Sequence, residues 1–478
     1  MRYADAYNYI NSFTNFETVP GLNIDTEFDG LERVRLLLRL LGRPHKSFRS
    51  ILVAGTKGKG SVSAMLDSVL RQSGHSVGLF TSPHLHSYRE RIRVNGEMIG
   101  TDDVVRLVTR LRSVIERISW LEDPTLMPTT YEITTALAFL YFQERNIDLA
   151  VLEVGLGGRL DAVNIVDDPL VSVITSISLD HTQVLGDTIA QIAREKAGII
   201  KHDGLVVSAP QVPDAMEVIN EVAERQNAQV AVVGREVYIS TDHLPEIVFD
   251  DDMVPLYQAF NVRFGADEDT RRNRMRIKTP LLGSHQQVNT AIALTVLRLL
   301  VQMGVNVQRE AVVEGFLRVD WPGRLEVVNR SPIVMVDGAH NVDSMTKLNQ
   351  AMGELFHRQR LVLVLGTSND KDIAGMVEEL GNWAGSILGL MIEHVIATRS
   401  RHPRAADPHL IAEQADLRGL KSQVIEVPAE AFRRAEEMAV ALGPNTYGPP
   451  IVLVTGSLFI VAEARQYYGL APDLSEET

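Results

Sequence analysis

The sequence predicts an α/β protein of two domains, each built on a mostly parallel sheet flanked by helices. Three observations lead there. The runs "ILVAG", "SVGLF", "LAVLEVG" and "VSVITSI" are short and rich in Val, Ile and Leu, as in strands buried on both faces. Helical patterns at 61–73, 102–119 and 129–145 fall between them, which is the alternation of a doubly wound sheet. A second alternation, "IVMVDG", "LVLVLG", "EHVIAT" and "PIVLVTG", begins after Trp321-Pro322-Gly323. That tripeptide cannot continue a helix and marks the junction, giving domains 1–320 and 321–478. A chain of 478 residues is in any case too long for one ordinary core.

In chain order, "LERVRLLLRLLG" places Leu31, Val34, Leu38 and Leu41 on one helical face, with Gly42 and Pro44 ending the helix. The strand–helix alternation follows. It weakens between about 235 and 280, where "TDHLPEIVFDDDMVP" and "FGADEDTRRNRMRIK" read as small strands with charged loops, an excursion from the first domain. "GSHQQVNTAIALTVLRLLVQMG" then makes a long helix ahead of the junction. The acidic tail "DLSEET" reads as disordered.

Composition narrows the function. The chain is 45% hydrophobic and 23% charged, ordinary for a globular protein. Forty-seven basic against 61 acidic residues leave a net charge of −14, which argues against a nucleic-acid partner. The absence of Cys excludes disulfides and Cys-ligated zinc. No stretch of about 18 apolar residues appears, and "MRYADAYNYINSF" lacks a signal peptide's apolar core, so a cytoplasmic protein without a membrane partner is expected.

"GTKGKGS", residues 55–61, follows one strand and opens one helix. Backbone N–H groups near Gly58, Lys59, Gly60 and Ser61 can face an anion there, with the helix dipole and Lys59 adding charge. The spacing departs from G-x-x-x-x-G-K-[ST], because Gly60 separates Lys59 from Ser61 and Val53 holds the first-Gly position. The bland alternative is a Gly-rich turn, with Lys57 merely solvated. In "LAVLEVGLGGRLDAVN" a strand ends in Glu153, a natural Mg²⁺ ligand beside a phosphate loop. Taken singly, Glu153 could instead pair with Arg159, and Asp161 could cap a turn. Strand 171–177 delivers Asp180 and His181 to the same sheet edge, although a lone His is more often a hydrogen-bonded core residue. Lys196 would ordinarily be a surface lysine paired with Glu195. His84 and His86 are spaced for zinc but lack a third ligand, and Arg89, Arg91 and Arg93 read as alternating on one strand face. "DGAHN" puts Asp337, His340 and Asn341 at a strand's carboxyl end, where α/β sheets bind ligands, or else forms a plain Asx turn.

Together these segments resemble one family. "VAGTKGKGS", "TSPHL", "ERIRVNG", "EITTALAF", "LEVGLGGRLDAVN", "DHTQVLGDTIAQIAREKAGIIK", "GSHQQVN", "WPGRLE", "DGAHN", "DKD" and "TGSLFIVAEAR" occur in the order of folylpolyglutamate synthase/dihydrofolate synthase, within the Mur ligase superfamily. The resemblance runs from about residue 25 to 467. It implies a Mur-ligase-type P-loop ATPase domain followed by a smaller Rossmann-like glutamate-ligase domain, with GT-x-GK-x-S as this superfamily's own phosphate loop.

The resemblance also implies roles. Ser82, Glu153 and His181 resemble Mg²⁺ ligands, and Lys196 matches a lysine that family members carbamylate to support a second Mg²⁺. A monovalent cation such as K⁺ belongs to the same expectation. Asn289, Arg324 and Asp337 resemble ATP contacts, with His340 near the phosphates as a catalytic residue beside Lys59 and Lys196. Thr130, Tyr131, Glu132, Leu160 and Asp161 fall in segments resembling the pterin-side pocket, and Ser457 would lie near the incoming L-glutamate. Lys57, Val163 and Tyr131 stand where Asn, Thr and Phe are common, and the last two bear on pocket polarity. The implied reaction is ATP-dependent amide ligation to folates or dihydropteroate through an acyl phosphate, by a monomer. A Mur-type ligase for another acid is the nearest rival, and a non-catalytic nucleotide-binding regulator is the rival from another class. Retention of Glu153, His181 and Lys196 together speaks against the regulator.

Overall fold

The computed structural model describes residues 1–15, 31–235, 237–240, 245–265, 274–385 and 390–477. The charged stretches 241–244 and 266–273, and the start of the family resemblance near residue 25, lie outside the described residues. Among the described residues the strands form three sheets.

The first sheet contains β1 (Arg49–Ala54), β2 (Val77–Phe80), β3 (Ile92–Val94), β4 (Glu97–Met98), β5 (Leu149–Glu153), β6 (Val171–Ile174), β7 (Leu205–Ser208) and β8 (Gln229–Val232), in the order β4-β3-β2-β5-β1-β6-β7-β8. Six of these are parallel, and β3 and β4 add an antiparallel edge. Alternate residues of β1 explain its uninterrupted apolar run. Leu52 and Ala54 enter one core with the helices Leu31–Leu40, Thr101–Ser119 and Thr130–Glu144, while Ile51 and Val53 enter another with Lys59–Gln72 and Ser284–Gln302. The helix Leu31–Leu40 buries Val34 and Leu38, with Leu41 just beyond it, as its periodicity predicts; Leu37 is buried as well, and Leu31 is only half-buried.

The excursion is a small antiparallel sheet of β9 (Val237–Ile239), β10 (Glu246–Phe249), β11 (Pro255–Phe264) and β12 (Arg274–Thr279). It serves both halves of the molecule. Val237, Phe260, Val262 and Ile277 pack into the first domain, whereas Val254 with Ile247 and Phe249 joins the core of the second.

The last sheet runs β13-β14-β18-β15-β16-β17, with β13 (Glu326–Arg330), β14 (Ile333–Val336), β15 (Arg360–Leu365), β16 (Met391–Ala397), β17 (Ser422–Val424) and β18 (Ile451–Thr455). It is parallel apart from β13. Two readings of the sequence need correction. Arg89 and Arg91 lie in a 3₁₀ turn, Tyr88–Arg91, so they do not alternate with Arg93 along a strand. The acidic tail is docked through residue 477: Ser87 donates to Glu477, whose carboxylate also lies 3.5 Å from Arg89. A carboxylate seated against a guanidinium loses the solvation that its polar composition would otherwise favour. No helix among the described residues is long and apolar enough to cross a membrane.

Candidate active site

Most candidate residues of the first domain's chemistry follow the carboxyl end of a parallel strand or open the next helix, whereas Lys196 and Asn289 reach in from helices. The phosphate loop follows β1, Ser82 follows β2, Glu153 ends β5, and Asp180 and His181 follow β6. Because β2, β5, β1 and β6 are consecutive neighbours, those loops share one sheet edge at the crossover point where such folds bind ligands.

The loop is held from below. Thr56 and Lys57 donate their N–H groups to Ser176 O at 2.8 and 3.1 Å, and Thr56 Oγ1 exchanges hydrogen bonds with the backbone of Ser178. Gly58 is the N-cap of helix Lys59–Gln72 in the left-handed region (φ 92°), and no side chain caps it. The first-turn N–H groups at Lys59, Gly60 and Ser61 therefore present their dipole end to a ligand. Gly58 and Gly60 are each required sterically. A Cβ on Gly58 would lie 2.4 Å from Asn289 Oδ1, and one on Gly60 would lie 2.6 Å from the Trp321 ring. Asn289 is thus brought against the loop, oriented by its own bond to Gln286 (2.9 Å), while Gln286 donates to Ser61 Oγ (3.3 Å).

Glu153 is buried and accepts the Ser82 N–H through Oε2 at 3.2 Å. Burial pushes its carboxyl up to about 7, against the pull of Lys59, the Ser82 N–H and Arg324. Arg159, its alternative partner, is taken by Glu195 at 3.0 Å. Lys196 is therefore not in the surface pair with Glu195. It is 4% exposed and donates to Gly55 O at 2.8 Å. Burial, reinforced by Lys59, pushes its ammonium down to about 7 although Asp180 pulls the other way, so a neutral amine is accessible near neutrality. His181 is held at φ 49° as the cap of the short turn Thr182–Leu185, a backbone costing about 1 kcal/mol outside Gly. Partial desolvation lowers its pKa although the side chain is 55% exposed, and a neutral imidazole is the form that can ligate.

No group of three or more His, Asp and Glu converges as a self-sufficient metal cage among the described residues. The donor set nevertheless fits Mg²⁺, which typically takes one or two carboxylates and completes its shell with water and substrate phosphates. Glu153 supplies such a carboxylate, destabilised as an anion until a cation faces it. The Ser82 hydroxyl belongs to the same loop set, with His181 the less usual donor.

The second domain faces this edge. Asp337, after β14, accepts the N–H groups of Leu325 (3.0 Å) and Ala339 (2.9 Å). Burial pushes its carboxyl up, while Arg324 pulls it down. His340 Nδ1 lies 2.7 Å from Gly338 O, which can only accept, so Nδ1 carries the proton and Nε2 the lone pair. Burial, with Lys57 nearby, holds the ring down to about 3, so it is neutral at physiological pH. Lys371 of "DKD" contributes to the positive field at both His181 and His340. Ser457 caps helix Leu458–Tyr467, accepting from Ile460 N and donating to Gly366 O at 3.0 Å.

The remaining candidates form a third group. Asp161 is buried and accepts from Gly155, Leu156 and Val163 N–H groups at 2.9 to 3.0 Å. Burial raises its carboxyl to about 6, while those N–H groups and the Tyr131 hydroxyl oppose the rise. The Tyr131 ring lies over Gly155, where a Cβ would come 2.8 Å from its hydroxyl. Leu160 is half-buried in the same loop. Thr130 donates to Ile10 O and Phe13 O, and Glu132 pairs with Arg33 at 3.1 Å while accepting the Thr129 N–H, so both are engaged in framework bonds. His84 Nδ1 accepts from Arg91 at 2.8 Å.

Sequence reasoning offered Lys57 as a solvated side chain and as a departure from the family's common Asn, whereas it pairs with Asp180 at 2.9 Å. It gave no role to Trp321 against Gly60, to Gln286 or to Lys371. The motifs "WPGR", "GSHQQVN" and "DKD" carried those residues, but local pattern does not reveal contacts made between segments far apart in the chain.

A phosphate loop set against a second α/β domain, with Lys59 and Arg324 both acting on a buried Glu153, fits the class of ATP-dependent ligases, and the comparisons agree. The Mur ligase middle domain matches residues 53–297, and the Mur ligase glutamate ligase domain matches residues 323–458. The chain is 34% identical to the dihydrofolate synthase/folylpolyglutamate synthase of Bacillus subtilis (strain 168), over 97% of this chain and 98% of that one. Among solved structures, Mycobacterium tuberculosis folylpolyglutamate synthase complexed with ADP superposes with a TM-score of 0.84 at 30% identity, covering 98% and 99% of the two chains. An FPGS–AMPPCP–folate complex superposes with a TM-score of 0.75 at 30% identity and the same coverage. The chain belongs to the folylpolyglutamate synthase/dihydrofolate synthase family of Mur ligases.

Proposed function

We infer that this chain is an ATP-dependent ligase that adds L-glutamate to the γ-carboxylate of folates and to the carboxylate of dihydropteroate. The observation that carries the reading is the cleft itself: an uncapped phosphate loop with Lys59, a buried and poorly solvated Glu153, and Arg324 and Asp337 presented from the second domain. Nucleotide-bound and folate-bound relatives at 30% identity support it.

A carboxylate is a poor electrophile, so γ-phosphoryl transfer from ATP first makes it an acyl phosphate. The amine of glutamate then attacks the acyl carbon and phosphate leaves with one former carboxylate oxygen. Lys59, the first-turn N–H groups and Arg324 stabilise charge on the transferring phosphoryl group, work that is mainly electrostatic. Asn289 and Asp337 position the nucleotide. His340, held neutral with Nδ1 bound to Gly338 O, is assigned to the neighbourhood of the phosphates as a catalytic residue. Two Mg²⁺ ions are the expected complement, and when bound they offset polyphosphate charge, held by Ser82, Glu153, His181 and a carbamylated Lys196. The pterin side is assigned to Thr130, Tyr131, Glu132, Leu160 and Asp161, and the incoming glutamate to the neighbourhood of Ser457. Residues 1–320 then form the ATP-binding domain and 321–478 the glutamate-ligase domain, in a monomeric, cytoplasmic enzyme.

The test offers purified protein ATP, Mg²⁺ and labelled glutamate, with dihydropteroate and reduced folates in parallel. Label should enter a folate product only when ATP and an acceptor are present, and Lys59→Ala should abolish it. ATP turnover indifferent to both acceptors would favour another Mur-type substrate and overturn the assignment.

A further inference from the structure

Lys57 lies inside the phosphate loop, yet its ammonium is engaged by Asp180 Oδ2 at 2.9 Å. The same oxygen accepts from Asn341 Nδ2 at 3.2 Å. Asn341 belongs to the second domain, where it caps helix Val342–Leu355 through Ser344 N. One carboxylate oxygen therefore joins the phosphate loop of one domain to a helix cap of the other. A parallel strut stands beside it: Ser178 Oγ donates to Asp343 Oδ2 at 3.0 Å, and Asp343 also pairs with Lys347 at 3.1 Å. Both ends of the bridge are anchored to backbone, since Asp180 Oδ1 accepts the His181 N–H at 3.0 Å and the Lys57 N–H donates to Ser176 O. The Lys57 and Asp180 side chains are only 16% and 13% exposed, so water and salt screen their pairing weakly.

We propose that Lys57, Asp180 and Asn341 form a docking latch, in which they act as positioning residues that couple seating of the second domain to the arrangement of the phosphate loop. The functional consequence rests on the ligase reading above. With Asn341 withdrawn, Asp180 and Lys57 lose the contact that ties them to the second domain. Lys59 and Arg324 then no longer converge on one phosphoryl group. Asn341 is thus more than a helix cap, and the two roles are separable because different atoms perform them: Oδ1 caps and Nδ2 reaches Asp180.

Asn341→Asp keeps an acceptor for Ser344 but sets a second carboxylate against Asp180. Asn341→Ser keeps an N-cap for the helix but is too short to reach Asp180, so it removes the latch without adding a charge. The full-length protein is measured for radius of gyration by solution scattering and for glutamate ligation. Asn341→Asp should enlarge the radius and lower kcat about tenfold, with KM for ATP changed by no more than about twofold. Asn341→Ser should enlarge the radius in the same direction and lower kcat by a smaller factor, with KM for ATP again held. An unchanged radius in Asn341→Asp overturns the latch whatever the rate does, and so does an enlargement confined to Asn341→Asp, which traces to carboxylate repulsion alone. A wild-type protein inactive on every folate would count against the ligase reading alone, because the scattering comparison still decides the latch.

Discussion

Glu195 and Lys196 are adjacent in sequence and differ completely in environment. Glu195 meets Arg159 at the surface, while Lys196 turns inward to Gly55 O. A buried ammonium would repel a metal, whereas its carbamate supplies a negative oxygen at the same reach; Arg cannot be modified in this way. Lys196→Ala should therefore lose activity and regain part of it with a small added carboxylic acid, while Lys196→Arg should not be rescued. A wild-type rate for Lys196→Ala would remove the residue from the mechanism. Glu153→Gln should raise the Mg²⁺ concentration needed for half-maximal ligation by about tenfold or more, and an unchanged Mg²⁺ titration would make Glu153 structural. His340 gives a pH signature. In the unfolded chain it takes a proton below about 6.5, but in the folded protein only below about 3. Between those values the unfolded state binds more protons, so this residue makes stability fall as the solution is acidified. His340→Gln should flatten that part of the melting-temperature profile, measured by calorimetry from pH 7 down to pH 4. A profile identical to wild type would mean that the ring is protonated in the folded state.

The elements that sequence reads best are those whose cause is local. β1, its glycine loop and the helix Lys59–Gln72 declare themselves through an apolar run, glycines and a change of period within about 25 residues. Glu153 at the end of β5 is equally visible, because a carboxylate closing a fully buried strand needs a reason. The environments of these residues were not visible. Lys57 and Asp180 are 123 positions apart, and the Lys196 carbonyl partner is 141 positions away, so only the parallel sheet order brings them together. The docked tail eluded composition for the same reason, since Ser87 and Arg89 lie nearly 390 residues upstream of Glu477. At this scale Gly58→Ala is the most informative change. It forces a side chain into φ 92° and against Asn289, and should cost about 1–3 kcal/mol of stability while raising KM for ATP. Chemical denaturation with parallel ATP titration checks both, and a neutral effect on each would show that the loop adopts another conformation.

Across the whole molecule, the two sheets present the carboxyl ends of their parallel strands to a shared cleft, and neither domain holds a complete set of groups. Lys59, Glu153 and Lys196 come from one, Arg324, Asp337, His340 and Lys371 from the other. The small sheet β9–β12 contributes to the core of both, and Phe249 meets Phe356 edge-on at 6.3 Å, so docking has apolar as well as polar support. In the proposed mechanism, splitting the groups this way makes phosphoryl transfer depend on docking, which keeps the reactive acyl phosphate from forming in an open, water-filled site. The central claim is that the acceptor's own carboxylate is phosphorylated before the amide forms. It is tested most directly by supplying dihydropteroate or a reduced folate with ¹⁸O in the reacting carboxylate and analysing the inorganic phosphate by mass spectrometry. The account predicts that one ¹⁸O passes to phosphate for each amide bond made, with ADP as the other product. Phosphate free of ¹⁸O, or AMP and pyrophosphate in its place, would contradict it.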